Sequence, residues 1–451
     1  MLERKDLSPE QEEAFQYILD FIKSNKRQML LNGYAGTGKT ALIGVLLNHL
    51  ENQTFLDVIC TAPTNEAVRV ISKLTGKDFY KTIYSLMGLV LIEEDDNPPI
   101  LKSTGISRLE KYSVIIIDEA SMIQEELYEL IQEELRLNSH VRIIYVGDEA
   151  QLPPVKDEGR DSKVFEVEDS FKLTEVQRTA KKNPIIKVVT DIRNNLSSQK
   201  DVFEKETITN EKGDMGIIFH SDKTEFLNLM YDDFKSENYK NDSAYVRVLA
   251  YTNRTIGILN SLIRREIFSG ENLPEFVEGD NLIADLPVID TDENAIIYNV
   301  GERLRVLNAT IKIDEEHGIK YWRLTVENYE EKNWRRVQRK INVIHKDYVK
   351  TYKYSLTKYA TEAKTRLREA IKGKKYRVSK RMAWKPYFDF KNQFNWVKYS
   401  YGTTIHKAQG STFKNAYVIN ADCNILQWND MERNKLKYVA FTRASHLLRV
   451  I

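Results

Sequence analysis

The run Gly33-Tyr-Ala-Gly-Thr-Gly-Lys-Thr40 places glycines ahead of a lysine and a hydroxyl residue in the spacing GxxxxGK[ST]. That spacing suits a grip on phosphate. Gly33, Gly36 and Gly38 let the backbone N–H groups of Ala35, Thr37 and their neighbours wrap anionic oxygens, while Lys39 reaches the outer phosphates and the Thr40 hydroxyl ligates magnesium. A second group, Val114-Ile-Ile-Ile-Asp118-Glu119, ends an apolar run in adjacent carboxylates. Asp118 can hold magnesium, and Glu119 can take a proton from an attacking water. A third, Val146-Gly-Asp-Glu-Ala-Gln151-Leu-Pro-Pro154, puts an amide after another apolar run. Gln151 there can sense a γ-phosphate and touch a neighbouring domain, or the segment is simply a turn. Grip, metal and base together are what hydrolysis of a nucleoside triphosphate requires.

These residues must be positioned by a sheet. Met29–Leu31, Val58–Cys60, Val114–Ile117 and Ile143–Val146 are short apolar runs separated by helix-compatible stretches, the signature of a parallel α/β sheet. Ahead of them, Ser8, Pro9 and Gln11 form a helix start with a capping box, followed by Phe15, Ile18, Leu19 and Ile22 on one face. Residues 86–107 interrupt the alternation with two apolar runs flanking a turn-prone acidic and proline segment, and predict an inserted β-hairpin. A second α/β pattern begins near Phe171, includes a strand Val246–Ala250 and a helix Thr255–Ile267, and resumes at 397–451. Between them, alternating runs around Arg303, Ile319–Val326 and Val337–Ile344 predict a small all-β insertion at 276–396. The expected division is 1–170, then 171–275 with 397–451, with 276–396 inserted.

Composition bounds the class. With 451 residues, 42% hydrophobic and 29% charged, the chain has room for more than one core. No apolar run approaches the roughly 18 residues of a membrane span, and two cysteines, Cys60 and Cys423, make no disulfide framework. Lys plus Arg (67) and Asp plus Glu (66) nearly cancel, yet Lys346–Lys385 holds 14 Lys and Arg against three acids, interleaved with tyrosines and Trp384. Such a stretch is a solvated helical face or a surface for nucleic acid, where cations hold phosphates and aromatics stack on bases.

In chain order these motifs resemble the superfamily 1B helicases, most closely the Dda-type, RecD-like helicases of bacteriophages, along nearly the whole length. Leu7-Ser-Pro-Glu-Gln11 resembles an adenine-recognising glutamine motif, though Gln11 also suits the capping box. Thr61-Ala-Pro63-Thr64-Asn65-Glu-Ala67 and Lys81-Thr82-Ile-Tyr-Ser85 resemble strand-contacting motifs. Leu173-Thr-Glu-Val-Gln-Arg178 resembles the segment whose arginine reaches the γ-phosphate. Tyr401–Phe413, with Thr404, His406, Gln409 and Gly410, and Tyr438–Ala444, with Arg443, are similar to the late motifs that contact strand and nucleotide.

The resemblance implies two tandem RecA-like P-loop domains, a β-hairpin pin in the first and an SH3-like barrel with a hook or tower in the second. It further implies an ATP-dependent DNA helicase using ATP and Mg2+, moving 5′ to 3′ on single-stranded DNA and opening forked duplexes. Lys39, Glu119, Gln151, Arg178 and Arg443 would then be catalytic. Partners would include replication or recombination proteins such as a single-strand binding protein; a monomer in the cytoplasm, that of a bacterial host for a phage-encoded chain, is expected, with no membrane role. The departure is at the hairpin tip, where Asn97-Pro98-Pro-Ile100-Leu101 stands in place of an aromatic wedge. Rival readings are a single-strand translocase or protein-displacing ATPase with weak unwinding, an RNA helicase, and a nucleotide-switched binding module without turnover.

Overall fold

The computed structural model describes residues 3–53, 56–76, 81–92, 100–103, 105–154, 159–176, 183–198, 206–270, 272–290, 295–328, 338–371, 379–426 and 429–451. They divide into two compact units, residues 1–257 with 403–451, and residues 258–402. The first unit holds two large sheets and, among the described residues, a two-stranded hairpin.

The chain opens with helix α1 (Pro9–Lys23), started as its sequence predicts: Ser8 Oγ accepts the Gln11 N–H at 3.3 Å, and Gln11 Oε1 accepts the Ser8 N–H at 3.0 Å. Strand β1 (Gln28–Gly33), helix α2 (Lys39–Gln53), β2 (Val58–Thr61), α3 (Asn65–Thr75) and the single turn α4 (Ile83–Leu86) follow. Strands β3 (Leu89–Ile92) and β4 (Ile100–Ser103) pair antiparallel as the predicted hairpin; its tip, with Pro98, lies outside the described residues, as does the Ile100 side chain. Next come β5 (Val114–Ile117), α5 (Glu125–Leu137), β6 (Arg142–Gly147) and β7 (Ser170–Leu173).

The first sheet has the order β2-β5-β6-β1-β7, and its pairings among the described residues are parallel. Its central strands are buried almost end to end, as a sheet covered by helices on both faces must be. The expectation that a second pattern starts at Phe171 is corrected here: β7 pairs with β1, Leu30 opposite Ser170 and Leu31 opposite Phe171. The first sheet therefore extends to Leu173. Proximity in sequence misassigned an edge strand whose partner lies 140 residues earlier.

The second sheet is assembled from both sides of the insertion. Helix α6 (Ile185–Asn194), β8 (Ile208–Thr209), β9 (Gly216–Phe219), α7 (Lys223–Lys235), α8 (Glu237–Asn241), β10 (Val246–Ala250) and α9 (Asn253–Phe268) precede it. The insertion comprises β11 (Asn281–Ala284), β12 (Val288–Asp290), β13 (Ala295–Tyr298), β14 (Arg303–Asp314), β15 (Ile319–Asn328), β16 (Gln338–Ile344), α10 (Val349–Ile371), α11 (Lys380–Asn392) and β17 (Val397–Tyr399). After it come β18 (Gly402–Thr404), β19 (Phe413–Val418), α12 (Asn420–Cys423), α13 (Asp430–Phe441) and β20 (Ala444–Val450), giving the order β18-β10-β19-β20-β9-β8. The pairs β10/β19, β19/β20 and β20/β9 are parallel, and short β8 closes the edge antiparallel. Each sheet has its own apolar core. Among the described residues no helix is long and apolar enough to cross a membrane.

Residues 258–402 form an antiparallel sheet, β16-β15-β14-β11-β17, whose outer strands approach through an Asn395 N–H to Asn342 C=O bond of 2.7 Å. The basic stretch is helical in α10 and α11. Phe390 and Phe394 pack with Tyr352 and Ile319 in a small core, whereas Phe388 is half exposed, and Trp384 and Trp396 are partly buried. The unit's polar anchor is Asp280. It is fully buried and accepts Arg264 Nε (2.7 Å) and Nη2 (2.9 Å), the Val277 N–H (2.8 Å) and the Tyr401 hydroxyl (3.1 Å). Removing one partner of a buried pair strands the other charge. Asp280→Ala is expected to destabilise this unit by about 3–5 kcal/mol, with Asp280→Asn losing less, read in denaturant melts followed by Trp322 fluorescence; a loss under about 1 kcal/mol would show that Arg264 finds water instead.

Candidate nucleotide site and strand-facing residues

The phosphate-type loop leaves the carboxyl end of β1, where ligands gather in parallel α/β sheets. Gly36 and Gly38 adopt left-handed φ angles of 88° and 78°, which L side chains resist, and a Cβ on Gly33 would sit 3.0 Å from Leu173 Cβ. The glycines are therefore required by shape. Lys39 opens α2 and turns its ammonium back on the loop, donating to the carbonyls of Gly33 (2.5 Å) and Tyr34 (3.1 Å), and the Thr37 hydroxyl also donates to Tyr34 O (2.9 Å). Gln11 serves two places at once: besides capping α1, its Nε2 donates to Thr37 O at 3.0 Å. The helix cap is thus tied to the loop.

The neighbouring strands bring the acids. Asp118 follows β5, and its Oδ2 accepts the Thr40 hydroxyl at 3.3 Å while Oδ1 accepts the Glu119 N–H at 2.8 Å. Burial raises the Asp118 carboxyl despite that N–H, Lys39 and Thr40. Glu119 sits in the left-handed region at φ 52°, a conformation that costs a non-glycine residue on the order of 1 kcal/mol and is typical of functional turns. Burial and the adjacent Asp118 push its carboxyl up to about 7, with Asp148 adding to the rise and Arg443 and Lys39 opposing it.

The opposite wall comes from the second sheet. Gln409 Nε2 donates to Gln151 Oε1 (3.0 Å) and Ser121 Oγ (3.2 Å), all three residues buried. Gly410, at φ 80°, lies where a Cβ would be 3.6 Å from Glu119 Oε1. Arg443 is buried at the end of α13, held by Val439 O (3.0 Å), Ser411 O (3.0 Å) and the Thr442 hydroxyl (2.8 Å), close enough for its charge to act on Glu119. Arg178 lies outside the described residues; the segment leading to it is pinned by Glu10, which accepts the N–H groups of Thr174 (2.8 Å) and Glu175 (2.7 Å).

The residues expected to face a nucleic-acid strand form separate groups. Thr64 caps α3 and Thr82 caps α4, and the bridge between Ala62 and Thr82 brings these caps, with Pro63 and Asn65, to one edge beyond β2. In the second sheet, Thr404 ends β18 and caps the turn carrying His406, whose ring lies 5.8 Å from that of Tyr251. Burial lowers the His406 imidazole, favouring its neutral form. Leu101 is partly buried in β4.

Two residues with no forecast role stand out. Tyr438 donates from its hydroxyl to Asp148 Oδ2 (2.7 Å) and accepts the Ala35 N–H (3.0 Å), and the Arg193 guanidinium lies 3.5 Å above the Tyr34 ring. In sequence, Tyr438 opens the late motif Tyr438–Ala444, in which only Arg443 was given a role of its own.

A phosphate loop, buried acids at strand ends and an arginine from a second parallel sheet define a P-loop fold of two tandem RecA-like domains. The AAA domain family matches residues 6–211, and the UvrD-like helicase C-terminal domain family matches residues 399–451. The ATP-dependent DNA helicase dda of Enterobacteria phage T4 is 29% identical over 98% of both chains. The ATP-dependent RecD2 DNA helicase of Deinococcus radiodurans is 31% identical over 41% of this chain and 23% of its own. In fold, the chain is similar to the Pif1 helicase from Candida albicans, with a TM-score of 0.50 and 16% identity over 98% of this chain and 94% of the other. In sequence the chain is thus similar, along nearly its whole length, to an ATP-dependent DNA helicase.

The acid pair has a thermodynamic signature. Between pH 4.5, the ordinary value for Glu119, and about 7, its value in the fold, the unfolded chain has released this proton while the folded chain retains it. Stability owed to this group therefore falls as pH rises through that window, and its full cost is present above about 7. With a chelator present, Glu119→Gln is expected to melt higher than wild type at pH 8 and no higher at pH 4.5. Equal melting at pH 8 would remove the buried-charge account.

Proposed function

We propose that this chain is an ATP-dependent DNA helicase that moves along single-stranded DNA, 5′ to 3′, and opens forked duplexes by coupling hydrolysis to closure of its two RecA-like domains. The observation carrying this reading is that the phosphate loop and acids of one sheet face Gln409, Gly410 and Arg443 of the other. The similarity to the phage T4 helicase over 98% of both chains supports the same reading.

In this proposal Lys39 exchanges the carbonyls of Gly33 and Tyr34 for phosphate oxygens, and the loop N–H groups around Ala35 to Gly38 cradle the remainder. Thr40 and Asp118 supply oxygen donors on adjacent elements, a set that fits Mg2+ rather than a softer metal. The ion, when bound, neutralises charge on the phosphates. Glu119 accepts the proton of the attacking water, Gln151 orients against the outer phosphate, and Arg443 and Arg178 add positive charge from the second domain. Gln11, already bonded to the loop, would report adenine through its amide.

Pro63, Thr64, Asn65 and Thr82 in the first domain and Thr404 and His406 in the second offer hydroxyl, amide and neutral imidazole groups, which position a backbone without reading sequence. Two grips on separate domains are what alternate holding needs. Pro98, Ile100 and Leu101 would form an apolar wedge, and the inserted sheet a small SH3-like barrel that guides DNA with the basic, aromatic helices α10 and α11.

Duplexes bearing a 5′ or a 3′ single-stranded tail test the activity and its direction together. Only the 5′-tailed substrate should unwind with ATP and Mg2+; unwinding of the 3′-tailed one alone would reverse the assigned direction, and failure on both would leave a translocase. Lys39→Ala should abolish ATP turnover, and Glu119→Gln should keep ATP and strand binding while reducing turnover by at least about a hundredfold. Strand affinity should fall with salt at a slope of about 0.7 per phosphate contact.

A further inference from the structure

The second domain touches the phosphate loop itself, at two consecutive residues. Ala35 gives its backbone N–H to the Tyr438 hydroxyl at 3.0 Å, and Tyr34 presents its ring to the Arg193 guanidinium at 3.5 Å. Neither contact is a side effect of general packing. Tyr438 is fully buried, and its hydroxyl is used in both directions, accepting from Ala35 and donating to Asp148 Oδ2 at 2.7 Å. Arg193 Nε is buried and has no hydrogen-bond partner among the described residues, and the guanidinium lies over the aromatic face of Tyr34.

Asp148 extends the connection. Its Oδ1 accepts the Ala150 N–H at 3.0 Å and its backbone carbonyl accepts the Gln151 N–H at 3.1 Å, fixing the turn that presents Gln151. Ala150 and Leu152, on either side of Gln151, belong to the apolar core of the second domain, and Ala35 packs against that core. One hydroxyl therefore joins the phosphate loop, the Gln151 turn and the helix that ends at Arg443. A shift of α13 cannot leave the loop amide untouched.

We propose that Tyr438, assisted by Arg193, is a positioning residue that transmits movement of the second domain directly into the phosphate loop through Ala35 and Tyr34. The loop is then set by two inputs, its own glycines and the neighbouring domain. Strand binding, by moving the second domain, alters the availability of the Ala35 N–H for phosphate and so sets turnover. This rests on the coupling of hydrolysis to domain closure on a DNA strand proposed above, which implies that the strand stimulates turnover.

Tyr438→Phe keeps the ring and removes only the hydroxyl. Turnover should be measured with and without oligodeoxythymidine, alongside hydrogen exchange of the peptide covering residues 33–39. In the variant, the ratio of strand-stimulated to unstimulated kcat should fall about tenfold. Exchange in the loop should rise at least about fivefold without the strand, and its response to the strand should disappear. Arg193→Met should weaken the stimulation in the same direction, and Arg193→Lys should restore part of it because the cation is retained.

Unchanged loop exchange together with wild-type stimulation would overturn the proposal. So would equal loss of basal and stimulated rates with unchanged loop exchange, which would assign Tyr438 to packing alone. If the wild-type protein hydrolyses ATP without any response to the strand, the functional reading fails separately, and the exchange comparison still decides whether Tyr438 tethers the loop.

Discussion

Three carboxylates sit at the ends of neighbouring strands, Asp118 and Asp148 buried and Glu119 partly buried beside them, and the rest of the site is a response to that constraint. Carboxylates in such a setting either stay protonated or recruit donors and cations. The first domain supplies Thr40, the Glu119 N–H and Lys39. That set is incomplete. Asp148 obtains its Oδ2 partner from Tyr438, and Glu119 feels the charge of Arg443, both from the second domain. The acids of one domain are thus stabilised by groups of the other, and the relative position of the two domains becomes an electrostatic variable of the site.

The parts of this arrangement that follow strand ends were legible from sequence. Buried parallel strands need uninterrupted apolar runs, and polar residues directly after such runs are forced to the carboxyl edge, so Lys39, Asp118 and Gln151 could be located without coordinates. Gln11 was legible in two ways, and the structure supplies the capping bonds together with a link to Thr37 that neither reading contained.

What stayed hidden depends on distance in the chain. Ala35 and Tyr438 lie 403 residues apart, and nothing in a tyrosine on a helix says which amide its hydroxyl meets. The edge strand β7 was hidden for the same reason, since its pairing with β1 spans most of the first domain. Helices α10 and α11 were visible only as a basic aromatic stretch. Their apolar residues form no clean stripe, and Pro386 inside α11 reads as a helix breaker, although Phe390 and Phe394 still find a common core.

The character of the contacts between the two RecA-like domains also bears on how they move. Each domain keeps its own apolar core, and the bonds that cross are polar: Ala35 to Tyr438, Gln409 to Gln151 and Ser121, and the ion pair of Lys435 with Asp161. A net exchange of one such hydrogen bond involves about 1 kcal/mol, so these contacts can be remade in succession, whereas separating a large apolar interface would cost far more. The exception is informative. Ala150 and Leu152 cross into the second domain's core from a turn of the first, so Gln151 is the point at which the domains are joined most firmly. The amide carried between Ala150 and Leu152 therefore stays with the second domain's core when the polar bonds around it are exchanged.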